Sequence, residues 1–135
     1  MLFLEGTRVT DTGLKELAKL KNLRTLRLRG NKLTEAGMME LAKLTQLSTL
    51  DLDAAITTVA GLMQLANVKN LSTLQLFGTF LTRRKFKDHA DFERLLVGDI
   101  LDTEEKNVFV CELQKALPNC EIRDGSLLPC LKINE

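Results

Sequence analysis

Apolar residues follow two rhythms along this chain. In LRTLRLRGNKLT (23–34), LSTLDLDAAITT (47–58) and LSTLQLFGTFLT (71–82) they alternate with polar residues. In LKELAKL (14–20) and MMELAKL (38–44) they fall three and four positions apart. Alternation sends successive side chains to opposite faces of a strand, whereas the wider spacing gathers them on one face of a helix. Triplets such as Leu26-Arg27-Leu28 therefore predict short strands with leucines in the core. The helical segments turn their leucines toward those strands and their lysines toward water.

The two rhythms repeat together. Leu26, Leu50 and Leu74 are 24 residues apart, and so are Leu28, Leu52 and Leu76. Leu2 and Leu4 fall one period earlier, so MLFLEGTRVT (1–10) enters the same unit inside its strand. The first strand column continues to Gly98 and Ile122, and the second to Ile100. Two helix columns read Leu14, Met38, Leu62, Phe86, Val110 and Leu17, Leu41, Leu65, His89, Leu113. The period thus predicts about five strands in line, including one near 98–100, with a helix between each. Gly6, Gly30 and Gly78 mark the turn after each strand, where a residue without Cβ tolerates the bend. Thr10, Thr34, Thr58 and Thr82 share the column suited to capping the next helix.

GTRVTDTGLKELAKLKNLRTLRL (6–28) resembles the unit LxxLxLxGTxhTDxGLxxLxxLxx, with h apolar, of bacterial leucine-rich-repeat proteins. ELQKALPNCEIR (112–123) is similar to the closing unit of such proteins. The resemblance covers 1–82 closely and 108–123 less so, while 83–107 departs from it and gains RRKFKDH. It implies an α/β leucine-rich-repeat solenoid with a short parallel sheet on the concave face and helices on the convex face. It also implies a protein-binding or scaffolding role and no catalytic residue. The division expected is one domain over 1–135, with regular repeats in 1–82, degraded repeats and a closing unit in 83–123, and a tail in 124–135.

Composition changes little in this picture. The 27% charged and 44% apolar content is that of an ordinary globular chain, and a net charge of +1 gives no global field for nucleic acid. No stretch approaches the roughly 20 apolar residues of a membrane span, and the first residues lack a signal-peptide pattern. The expected compartment is the cytoplasm. Cys111, Cys120 and Cys130 fit neither a CxxC nor a metal-ligand spacing, so three free, mostly buried thiols are expected, with no metal and no cofactor.

Candidate contact residues lie between the core leucines, on the outward strand positions. One column is Phe3, Arg27, Asp51, Gln75; the next is Glu5, Arg29, Asp53, Phe77. With strands about 4.8 Å apart, Arg27 is expected to face Asp51, and Arg29 to lie between Glu5 and Asp53. Two readings stay open: a solvated, self-neutralised ladder of exposed pairs, or a recognition patch for a protein partner. Asp51 and Asp53 oppose phosphate, which argues against nucleic acid. Phe77 and Phe80 add apolar contact area unless the following segment folds over them. Arg83, Arg84 and Lys85 offer an anion contact, with a solvated helix face as the alternative. Leu2, Phe3 and Leu4 form an open edge suited to a homodimer, against fraying or cover by further sequence.

The functional expectation is a protein-binding module without enzymatic activity. One alternative is an uncapped fragment of a larger repeat protein with no independent function. The other is a hydrolase using Cys111 and His89, which lacks a recognisable third group to orient the pair.

Overall fold

The computed structural model describes residues 1–6, 9–82 and 100–123. Arg83, Arg84, Lys85, Phe86, His89, Gly98, Cys130 and the segment 124–135 lie outside these residues. Among the described residues the fold is mixed α/β, with eight strands in two parallel sheets. The first sheet contains β1 (Leu2–Phe3), β2 (Thr25–Arg27), β4 (Thr49–Asp51), β6 (Thr73–Gln75) and β8 (Glu121–Arg123), side by side in that order. The second contains β3 (Lys32–Leu33), β5 (Ile56–Thr58) and β7 (Phe80–Thr82). Helices α1 (Asp11–Leu17), α2 (Glu35–Leu41) and α3 (Val59–Met63) connect them, and α4 (Thr103–Ala116) precedes β8.

Register follows the period of the sequence through β6. Leu2 pairs with Leu26, Leu26 with Leu50 and Leu50 with Leu74. Three-residue strands make few ladder bonds, so burial supplies most of their stability. Leu26, Leu28, Leu50, Leu52, Leu74 and Leu76 are fully buried, and on the helix side Leu14, Met38, Leu41, Leu62, Leu65 and Leu113 join the same core. Two polar side chains complete the seam between neighbouring turns. Buried Asn31 donates to the Leu4 carbonyl at 2.8 Å while its oxygen accepts from the Val9 N–H at 3.0 Å. Thr79 donates to the Leu52 carbonyl at 2.6 Å.

The capping column forms as expected at three helices. Thr10, Thr34 and Thr58 hold extended backbone and accept from the N–H of Gly13, Gly37 and Gly61. Buried Thr34 also donates to Asp11 at 2.6 Å, tying α2 to α1. Gly37 lets the two helices approach closely: a Cβ there would lie 2.6 Å from Asp11 Oδ1 and 2.7 Å from Leu14 Cδ1.

Four expectations change. The strand column passes straight from β6 to β8, Leu74 opposite Ile122, with no strand between them, and Ile100 makes an antiparallel bridge to Thr82. Gly98 would bring no side chain to the core column, and Ile122, two periods beyond Leu74, restores an apolar one. The second sheet was not expected, because its strands are too short to show alternation. Phe80 belongs to that sheet, opposite Ile56, and not to the ladder of Arg27 and Asp51. Cys111 is disulfide-bonded and only Cys120, among the described residues, is a free and buried thiol. Spacing along the chain carries no information on which thiols approach in space.

The turn column continues where the sequence has no glycine. Gly6, Gly30 and Gly78 have φ of 59°, 72° and 66°, and Ala54, in the same column, has φ of 57°. The Cβ of Ala54 crowds its own backbone in this left-handed region, at a cost of roughly 1–2 kcal/mol that glycine avoids. Glycine gives back part of that gain through its freer unfolded chain. Ala54→Gly is therefore expected to stabilise the fold by about 0.5–1 kcal/mol in urea unfolding. A lowered midpoint would show that the turn does not hold Ala54 in that conformation.

Candidate functional site

The exposed face of the five-stranded sheet carries the column Phe3, Arg27, Asp51, Gln75, Arg123 in register. Glu5, Arg29, Asp53 and Phe77 follow one turn later, where each strand leaves the sheet. Parallel pairing sets these positions, because outward residues of adjacent strands must line up when inward leucines do.

Asp51 is the centre of the face, and it is buried, with only 1% of its surface exposed. This corrects the expectation that the ladder's charges are all exposed. Its Oδ2 accepts from Arg29 Nε at 2.6 Å and lies 4.0 Å from Arg27 Nε. Its Oδ1 accepts from the Asp53 N–H at 3.0 Å. The direct bond thus runs diagonally, from the turn arginine, Arg29, to the strand carboxylate of Asp51. Arg27 lies instead over the Phe3 ring, 4.5 Å from its centroid, in a cation–π contact. Glu5 lies 3.9 Å from both guanidinium groups.

Asp53 does a second job at the turn. Its Oδ1 accepts the Phe77 N–H at 2.9 Å, and its Oδ2 is 3.8 Å from Arg29 Nη2. Burial pushes its carboxyl above the ordinary range; the Phe77 N–H opposes that shift and the neighbouring Asp51 charge adds to it. A raised acid pKa favours the fold in acid, and this contribution is lost as pH rises through the folded value. The Arg29 guanidinium is raised in turn, first by its hydrogen bond to Asp51, so it stays charged at every physiological pH.

The face therefore presents two half-exposed arginines held in place from below. Arg27 and Arg29 keep 42% and 41% of their side-chain surface in water. Phe3 and Phe77 flank them with 51% and 44% exposure. Among the residues expected here, Arg27, Arg29, Asp51, Asp53, Gln75 and Phe77 come together; Phe80 lies on the other sheet. Leu2 and Leu4 are half-buried against the core, and Phe3 is already part of the face. Two residues were missed. Arg123 beside Gln75 was signalled only by Ile122 falling in the Leu74 column. Asn31 had no signal, since its column reads Thr7, Asn31, Ala55, Thr79.

For the alternative Cys–His chemistry, His89 lies outside the described residues, and a disulfide-bonded Cys111 offers no thiolate. Burial pushes the Cys120 thiol up to about 11, with the Glu121 charge adding to the shift. A thiol so poised is protonated and unreactive at neutral pH. Among the described residues no helix is long and apolar enough to cross a membrane. No protein-family model matches the chain, and a search of curated proteins finds none that matches it.

The Asp51 carboxylate and the Asp53 carboxylate differ in what their neutral amides would lose. Asp51→Asn surrenders the charge-assisted bond to Arg29 inside a buried site and is expected to cost about 2 kcal/mol, less than a fully buried pair because Arg29 stays half in water. Asp53→Asn keeps an acceptor for Phe77 and should cost under about 1 kcal/mol. Denaturant unfolding at neutral pH separates them. Equal losses would remove Asp51 from its central position.

Proposed function

We propose that this chain is a leucine-rich-repeat solenoid whose sheet forms a concave face that binds a protein partner. The single observation that supports this reading most is the buried Asp51 carboxylate, which orders two arginines on the outer face between two exposed phenylalanines. Long basic side chains lose about 2 kcal/mol of rotamer freedom when a partner immobilises them. Here that ordering is already done, which favours binding. Arginine and aromatic side chains are also the residue types that dominate protein interfaces.

The charges shape the partner. Glu5, Asp51 and Asp53 against Arg27 and Arg29 leave the cluster with a net charge of −1 (−3 + 2). Neither a strongly anionic surface nor nucleic acid is matched to such a cluster. A mixed polar and apolar surface of another protein is.

The outer edge at β1 and α1 supports a second reading, a homodimer through Leu2, Phe3 and Leu4. Where a neighbour is stacked, the glycine columns are occupied: Gly30 meets Gly6, and Gly37 meets Asp11 and Leu14. The matching outer positions are open, with no heavy atom within 4 Å of a Cβ at Gly6 and only Val9 and Thr10 near Gly13. An edge of this shape accepts another stacked surface. Cys111 in a disulfide weighs toward an oxidising compartment and against the cytoplasm expected from the sequence.

Affinity capture from the source cells, repeated with a Phe77→Ala, Arg27→Ala double variant, tests the main reading. Both side chains are exposed, so the variant should keep its fold while losing captured protein by tenfold or more, as removal of paired hot spots does. Captured protein retained in full by a folded variant would move the contact off this face.

A further inference from the structure

The net charge of +1 hides a separation between the two edges of the fold. Acids gather where helices start, at Asp11, Glu35, Glu104 and Glu105. The opposite edge is built from the loops that lead from the helices back into the sheet, 18–24, 42–48 and 64–72. They contain no acidic and no aromatic residue, but they carry Lys19, Lys21, Arg24, Lys43 and Lys69. Every one of these cations is exposed.

Parallel register brings the three loops together, because each ends where an aligned strand begins. Ser48 donates its N–H to the Arg24 carbonyl at 2.8 Å and its hydroxyl to the same oxygen at 3.1 Å. Ser72 does the same to the Ser48 carbonyl, at 2.8 and 3.0 Å. Asn70 reaches across to the Thr45 carbonyl at 2.8 Å. The backbone of the edge is thereby ordered while its charged ends stay in water.

The helices explain part of this charge. Lys19 and Lys43 follow helix ends, where a cation offsets unpaired carbonyls, and each pairs with a glutamate three residues back, Glu16 at 2.9 Å and Glu40 at 3.0 Å. Lys21, Arg24 and Lys69 have no such role: none of the three forms an ion pair with the described residues. Between Lys19 and Lys21, Leu20 is 47% exposed, although Leu44 and Val68 in the same column are buried.

We propose that this edge docks the protein on the surface of an anionic lipid bilayer. Lys21, Arg24 and Lys69 are attracted to the headgroup phosphates, and Leu20 enters the interface beside them. The composition of the edge selects this occupant. Mostly lysine, it offers hydrated point charges suited to a diffuse anionic surface, not the planar forks that grip single carboxylates of an acidic protein. Without aromatic side chains it has no platform for the bases of single-stranded nucleic acid. A leucine flanked by lysines is the pairing of an interfacial segment, whose apolar group sinks while the cations remain at headgroup level. Arg24 precedes its strand and Arg29 follows it, so this assignment does not rest on the protein-binding face.

Sedimentation of the full chain with vesicles is the test. Equal parts of phosphatidylglycerol and phosphatidylcholine should bind the protein at low salt and release it at high salt, and phosphatidylcholine alone should not bind it. Each cation near such a surface raises association about fivefold, so Lys21→Gln, Arg24→Gln and Lys69→Gln together should weaken binding roughly a hundredfold. Leu20→Ser should weaken it severalfold, and Phe77→Ala with Arg27→Ala should leave it unchanged. The three cations are exposed, so far-UV dichroism should not change with their replacement. Absence of binding to anionic vesicles, equal binding to phosphatidylcholine, or binding kept by the triple variant or untouched by Leu20→Ser overturns the proposal. So does a loss confined to the Phe77 and Arg27 variant. Displacement by glycerol phosphate at matched phosphate concentration would make the site a small-anion pocket. Polyglutamate or duplex DNA bound as tightly as the vesicles would make the partner a polyanion in water, and either result equally overturns it.

Discussion

Everything in this molecule depends on parallel pairing between equivalent turns of chain. A three-residue strand cannot stand alone, and its backbone groups are satisfied only when the neighbouring strand presents the same residues at the same height. Leu28, Leu52 and Leu76 each donate across to the next strand, to the carbonyls of Asp51, Gln75 and Arg123 at 2.8, 2.9 and 2.6 Å. That repetition places leucine on leucine inside. It also places every outward residue beside its counterpart, whatever its charge. The core thereby decides which polar side chains meet.

The Asp51 cluster is a consequence of that arrangement. Once Leu50 is set against Leu26 and Leu74, Asp51 must lie between Arg27 and Gln75, where two arginines close over it. Its desolvation is offset by the Arg29 bond and the Asp53 N–H, and both arginines remain at the surface. Order on the face is therefore supplied from beneath it.

Much of this was legible in the chain itself. Leucines at fixed intervals gave strands and helix faces, and threonines gave caps, because both roles need only a residue type at a local spacing. Positions that depend on three-dimensional company were not legible. Asp51 reads as an exposed ladder charge until the diagonal reach of Arg29 covers it. Gly98 and Ile100 continue the columns on paper, yet Leu74 pairs directly with Ile122 and Ile100 bridges Thr82 instead. Lys32, Ile56 and Phe80 pair in a second sheet whose two- and three-residue strands leave no pattern. The bonded state of Cys111 and the Asn31 bridge are likewise contacts across the fold, without a local signature.

The register itself is the most direct thing to measure. Methyl-labelled protein examined by nuclear Overhauser spectroscopy should show contacts linking Leu26 to Leu50, Leu50 to Leu74, and Leu74 to Ile122, in an unbroken series across the sheet. A series that runs from Leu74 to a strand at 98–100, with Ile122 one strand farther out, would contradict the account. The 24-residue spacing would then persist to the end, and Arg123 would not stand beside Gln75 on the outer face of the sheet.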